Sequence, residues 1–230
     1  MRKSNMLILT LLLAAVFILS GCGNREKDAK ISLLESEVES LREKDADNTG
    51  IIKELEEALA VCEKAEARVI DKALMAVRLL KDRDMAGLSG YAHPEKGILF
   101  SPYAYIGDES LVFTAEEVSR LMDSSEVFNW GVYDGIGDPI KLDFTGYYER
   151  FVYNLDFAAP HMIGNNVVIG SGNTLNNIAE RFPGSYFIEF HFTGFDPEYI
   201  GFDWGSLRIV FERFDGEWYI VAIVHDEWTI

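Results

Sequence analysis

Asp215-Gly216, set between two alternating runs near the C-terminus, limits the fold of this chain more than any other pair of residues. A tight type I′ turn needs positive φ at both central positions, so Asp-Gly between alternating runs is the strongest short hairpin signal. It joins Ser206–Phe214 to Glu217–Thr229, with Phe214 opposite Glu217. Side chains alternate across a strand. That register predicts a core face of Leu207, Ile209, Phe211, Trp218, Ile220, Ala222 and Val224. The other face carries Arg208, Val210, Glu212, Tyr219, Val221, Ile223, His225 and Glu227. It is mixed, as expected of a face that is partly wet or lines a pocket. Ser185–Thr193 alternates in the same way, with Tyr186, Ile188, Phe190 and Phe192 opposite Phe187, Glu189 and His191.

Helical patterns come first in the chain. Ile31, Leu34, Val38 and Leu41 recur at 3-4 spacing, and the frame resumes in register at Ile52, Leu55, Leu59 and Cys62. Between them lies Asp47-Asn48-Thr49-Gly50, which is turn chemistry. Residues 31–65 therefore read as a helical, coiled-coil stalk or as a helical hairpin folded back at Asn48–Gly50, and the preserved register favours the stalk. The helix continues through Val69, Ala73, Val77 and Leu80, and a short helix from Met85 to Tyr91 stops at His93-Pro94. A β-rich run from Ile98 to Ile106 is interrupted by Pro102. Short strands are expected at Leu111–Phe113 and Phe128–Tyr133, with small helices after a Thr114/Glu117 capping box, at Thr145–Tyr153 and at Thr174–Phe182. Helices followed by long antiparallel strands predict an α+β domain, 66–230, with N-terminal helices packed on a curved antiparallel sheet.

The extreme N-terminus is an address. Arg2 and Lys3 precede an uncharged run from Met6 to Leu19, and small residues lead to a cysteine in Leu19-Ser20-Gly21-Cys22. About 14 apolar residues at about 1.5 Å each span only about 20 Å, too short for a hydrocarbon core of about 30 Å. The stretch reads as a cleaved signal over residues 1–21. It also resembles a bacterial lipobox, which implies a lipid on Cys22 and a location at the cell membrane facing outside the cytoplasm, and the polar stretch that follows reads as a flexible leader over 22–30. A diacylglyceryl group would hold such a chain stably.

Charge excludes one class of partner. The formal net charge is −17, and a signal carrying Arg2 and Lys3 would leave with two positive charges and deepen it to −19. Such a surface repels phosphates, so nucleic acid is not an expected partner. The second cysteine, Cys62, is left without a mate in its own chain if Cys22 is lipidated. It reads as a small buried hydrophobe or as an interchain disulfide across a stalk dimer.

The segments HPEKGILFSPYAYI, NWGVYDGIGDPI, YYERFVYNLDF, GNTLNNIAERFPGSYFIEFHF and LRIVFERFDGEWYIVAIVHDEWTI resemble a family of uncharacterised lipoproteins of Gram-positive bacteria. The resemblance covers about residues 70–230 and implies location and fold but no activity. The order of elements is also similar to the cone of nuclear transport factor 2-like (cystatin-like) proteins, and a fold does not carry function.

Such a cone holds a pocket between sheet and helices, for which Tyr103, Tyr105, Trp130, Tyr133, His191, His225 and Asp226 are the candidates. His225 and Asp226 are adjacent in a strand and point to opposite faces, whereas His191 and His225 are placed to share one. No metal-ligand spacing links His93, His161, His191 and His225, and neither a nucleophile elbow nor a phosphate loop is present. No metal and no cofactor are expected. The preferred reading is a non-enzymatic binding module with an aromatic pocket for a small molecule, glycan or peptide. The alternatives are a pocket isomerase or hydrolase using a histidine with a carboxylate, and a structural envelope protein that self-associates through 31–65.

Overall fold

A computed structural model describes residues 25–229, with the side chains of 25–29 and 58–68 left aside. The signal, Cys22 and the Cys62 thiol all lie outside the described part. The chain divides after Glu63 into two compact units.

Helix α1 (Arg25–Lys81) has 57 residues. Asp47–Gly50 lies within it, so the hairpin at that point does not form. Thr49 Oγ1 instead donates to the Asp45 carbonyl one turn back, at 2.8 Å. Intrahelical bonding has overridden local turn preference, as tertiary or helical context commonly does.

In the second unit, Val69, Ala73, Ala76, Val77 and Leu80 form the buried stripe of α1. Arg83 takes a positive φ of 56°, and Asp84 caps α2 (Met85–Ser89) by accepting from Gly87 N–H at 2.8 Å. His93 Nδ1 accepts the backbone N–H groups of Glu95 and Lys96 and so closes the turn before the first strand.

The first strands are β1 (Ile98–Ser101), β2 (Leu111–Phe113), β3 (Phe128–Val132) and β4 (Pro139–Leu142). Helix α3 (Ala115–Val118) opens on the expected capping box, with Thr114 and Glu117 satisfying each other's backbone N–H groups. Helix α4 (Phe144–Tyr147) runs into a π-turn over Tyr148–Val152. Strand β5 (Met162–Asn165), helix α5 (Ile178–Arg181) and strands β6 (Tyr186–Phe192), β7 (Gly205–Phe214) and β8 (Glu217–Glu227) complete the chain. The alternation patterns did not single out β4 and β5, which at four residues hold only two periods each.

Six strands form one open sheet in the order β2-β1-β8-β7-β6-β5, while β3 and β4 pair separately. The sheet is mixed rather than antiparallel throughout, because β1 lies parallel to β8. Phe214 pairs with Glu217, as the Asp-Gly turn requires. Further along, Phe211 pairs with Ile220 but Val210 pairs with Ala222, leaving Val221 as an extra residue. Outside the sheet register, Ile220 N–H bonds to Tyr91 O and Ile220 O accepts from His93 N–H. A bulge of one residue exchanges the faces of everything beyond it. Ile223 therefore joins the main core with Leu207, Ile209 and Phe211, while Ala222 and Val224 turn to the other side with Val210.

The main core lies between one sheet face and α1, α2, α4 and the π-turn. Its centre is aromatic. Trp130 stacks on Tyr147 at 3.7 Å, and Phe100 sits edge-on to Phe113, Trp130, Phe144 and Tyr147. Tyr148 donates its hydroxyl to the Leu80 carbonyl. A smaller cluster of Leu99, Ile106, Ile178, Phe182, Val210, Val221, Ala222 and Val224 covers part of the opposite face. Helices were expected on one side only, and α5 supplies Ile178 to the other.

Candidate functional site

A cleft of about 400 Å³ opens between the segment after β1, strand β3 and the loop at 173–175. Pro102 ends β1 because it has no N–H to continue the ladder, and the chain that follows brings Tyr103 and Tyr105 to the cleft. Tyr105 is 56 % exposed, whereas Trp130, also at the cleft, is 2 % exposed. Trp130 Nε1–H is already committed to the Leu142 carbonyl at 2.9 Å. Tyr105 is thus the ring with free surface.

Asp134 organises the rim. Its Oδ2 accepts from the Thr174 and Thr229 hydroxyls at 3.1 and 2.6 Å, and its own N–H reaches the Tyr103 hydroxyl at 3.2 Å. Burial raises the Tyr103 phenol above its ordinary range. It is therefore neutral at physiological pH and keeps a hydrogen to donate. Glu109, Ser110 and Asn173 add further polar groups. No Lys, Arg or His is among the lining residues, so the cleft presents carboxylates, hydroxyls and an amide around one aromatic face.

A second, shallower cleft of about 210 Å³ is lined by Ile169, Gly170, Ser171, His191, Thr193, Gly201 and Trp204. Beneath it lies a buried ionic group that the alternation pattern read as a wet strand face. Arg208, fully buried, donates from Nε to Glu189 Oε2 at 3.0 Å, from Nη1 to Asp226 Oδ2 at 2.8 Å and from Nη2 to the Gly170 carbonyl at 2.7 Å. Glu189 also accepts the N–H groups of Ile169 and Gly170 and the Ser206 hydroxyl. Burial pushes the Glu189 carboxyl up, but Arg208, Ser206 and the two amides outweigh it and hold the group below the usual carboxylate range. Asp226 has the weaker share of the same guanidinium, and its Oδ1 is buried without a partner. Burial dominates there and pushes its carboxyl up to about 6.

These bonds fix the His191 tautomer. Ionised Glu189 can only accept, so the Ser206 hydrogen goes to it at 2.7 Å. Ser206 Oγ must then accept from His191 Nδ1–H at 2.8 Å, which leaves Nε2 of a cleft-lining ring as a lone pair. Burial lowers the His191 pKa, so the ring is neutral at physiological pH.

His225 is elsewhere. The bulge turns it to the main core against Phe151, with Nδ1 donating to Pro102 O at 3.0 Å and Nε2 at 3.3 Å from the Asn154 amide. Burial pushes its pKa down to about 4. His191 and His225 consequently lie on opposite faces, and the residue that joins His191 is Asp226. Tyr133 packs on Phe151 and is not among the cleft-lining residues. Tyr103, Tyr105 and Trp130 do converge. The sequence offered no signal for Asp134 or Glu109 beyond turn chemistry, and none for Arg208 as a buried hub.

Among the described residues, no three His, Cys, Asp or Glu side chains are grouped to hold a metal ion. No described helix is long and apolar enough to cross a membrane. No sequence-family profile matches the chain, and no curated protein matches it. One solved structure, Rd1NTF2_05 carrying five substitutions, is similar over 71 % of this chain and 98 % of its own, at 14 % identity and a TM-score of 0.31. A likeness at that level adds nothing to the fold derived from the strands.

Proposed function

We propose that this protein is a lipid-anchored, extracytoplasmic binding module whose larger cleft holds a small neutral or cationic ligand, of which a glycan fragment is the best fit. One observation carries the reading. The cleft pairs an exposed Tyr105 with Glu109, Asp134, Asn173 and four further hydroxyl-bearing residues, and has no cation among its lining residues. Sugars meet proteins through a ring face and converging acceptors, and an anion would find no counter-charge here. The lipobox-like Leu19–Cys22 supports the anchor, and residues 22–30 and 31–65 read as leader and stalk. An open, bulged sheet packed by helices supports a nuclear transport factor 2-like cone for 66–230.

Tryptophan fluorescence and calorimetry with chitotriose, maltotriose, choline and citrate test the cleft. Chitotriose or maltotriose is expected to bind with a Kd below about 1 mM, weakened about tenfold by Tyr105→Ala, since a stacked ring contributes about 0.5–1.5 kcal/mol. Preference for citrate, or indifference to Tyr105→Ala, would sink the reading. Radiolabelled palmitate tests the anchor: label is expected in the wild type and absent from Cys22→Ser, and equal labelling rules it out. A second reading, a pocket enzyme, is favoured only by the His191 lone pair held by Ser206 and Glu189. It requires turnover that His191→Gln removes without unfolding the chain.

A further inference from the structure

The apolar stripe of α1 in the first unit is exposed. Leu34, Leu41, Ile52 and Leu55 are 41, 54, 55 and 64 % accessible, far above what isolated surface leucines on one helical line require. Its spacing is strict. Counting from Ile31 as heptad position a, the a positions are Ile31, Val38, Asp45, Ile52 and Leu59, and the d positions are Leu34, Leu41, Asn48, Leu55 and Cys62. A repeat of 3.5 in one frame, apolar over two heptads on each side of a polar one, suits a left-handed supercoil with another helix carrying the same pattern.

The flanking charges select the partner and its direction. In a parallel pair, each g residue faces the e residue five positions on in the other chain. Lys30 then meets Glu35, and Glu37 meets Arg42, each twice by symmetry, and the remaining pairs, Lys44 with Thr49, Ile51 with Glu56 and Ala58 with Glu63, include no like charges. An antiparallel pair aligned about its centre sets Glu35 against Glu63 and Lys44 against its own copy and keeps only Arg42 with Glu56 as an attraction, so the parallel form has the better balance of charges even with Asp45 facing its copy. We infer that the stripe at residues 31–62 is the interface of a parallel, in-register homodimer of this chain. This inference is independent of the cleft.

The middle heptad carries a cost that makes the pairing selective. Asn48 at d meets its own copy and can exchange amide hydrogen bonds only in register, so it penalises slipped alignments. Asp45 at a faces a like charge, relieved in part by Lys44 at the adjacent g position. The dimer is weaker for both and therefore reversible with concentration.

Multi-angle light scattering of the full chain carrying Cys22→Ser, kept in detergent, tests this, because Cys62 is then its only thiol. A dimer is expected. Diamide, a two-electron oxidant that takes up both thiol protons, should join the two Cys62 sulfurs in a covalent dimer that is absent from Cys62→Ser. Asp45→Val is expected to lower the dissociation constant at least about tenfold, and Glu37→Lys to raise it by a similar factor, with Arg42→Glu added to the latter restoring it. A monomer at every concentration, a trimer, or a dimer with neither the Cys62 cross-link nor the charge-swap rescue overturns the proposal. Asp45→Val removes a penalty instead of a contact, so a tighter dimer is not explained by misfolding.

Discussion

The two faces of the six-stranded sheet are built on opposite principles. One is almost entirely apolar, with Leu207, Ile209, Phe211, Ile223 and Phe190 packed against aromatic rings. The other places Glu189, Arg208, Ser206 and Asp226 under full or nearly full burial beside a thin valine-rich cluster. The apolar face gains from every methylene it buries and has no single indispensable member. Each group on the ionic face matters more, because two carboxylates share one guanidinium and each holds a place in the others' hydrogen bonding. Stability is spread over the first face and concentrated in the second, which is also the face beneath the His191 cleft.

The sharpest way to break this contrast is Arg208→Met. It leaves Glu189 and Asp226 buried without a cation and should cost about 3–5 kcal/mol in urea unfolding. On the apolar face Ile209→Val should cost only about 0.5–1.5 kcal/mol. Equal losses at the two sites would erase the distinction. Replacing Arg208, Glu189 and Asp226 together by apolar residues of similar volume should recover most of the loss, since a buried ion pair seldom outperforms good packing.

A smaller effect lies in the pH dependence. Asp226 has a folded pKa raised to about 6 from 3.8, so the folded state holds the extra proton and stability falls as pH rises through that window. His225 is lowered from 6.5 to about 4, so the unfolded state holds the extra proton there and stability rises with pH over nearly the same window. The two slopes oppose. Asp226→Asn should make stability climb more steeply with pH between 4 and 6.5 than in the wild type, and His225→Gln less steeply. Unfolding curves with no change of slope in either variant would show that neither group titrates as its surroundings dictate.

Local chemistry made much of the fold readable. The Asp-Gly turn, the β6 alternation and the Thr114 capping box are set by residues a few positions apart, and all appear as expected. What escaped depends on contacts between distant segments. Nothing in the residues around Val221 announces that it bulges, at the point where the distant Tyr91 and His93 bond to Ile220. Counting by twos through that point put His225 on the wrong face and hid the tie between His191 and Asp226. Arg208 looked like a wet residue because only the fold supplies its two carboxylates. Of the candidate site, Tyr103, Tyr105 and Trp130 were accessible through aromatic excess next to a proline break. Asp134 was not, since its partners Thr174 and Thr229 lie far along the chain.

The position of β8 has a consequence for how such a chain comes into being. This strand of 11 residues lies between β1 and β7, yet it is the final element in sequence. Until it emerges, β2-β1 and β7-β6-β5 have no common neighbour, and the rings of β1 and β6 have no continuous floor. The sheet can therefore close only once β8 has paired on both sides, whereas α1 and β5-β6-β7 rest on contacts of their own. The pairing of β8 with β1 and β7 spans most of this unit in sequence, so closing the sheet is expected to be the slow step of its folding.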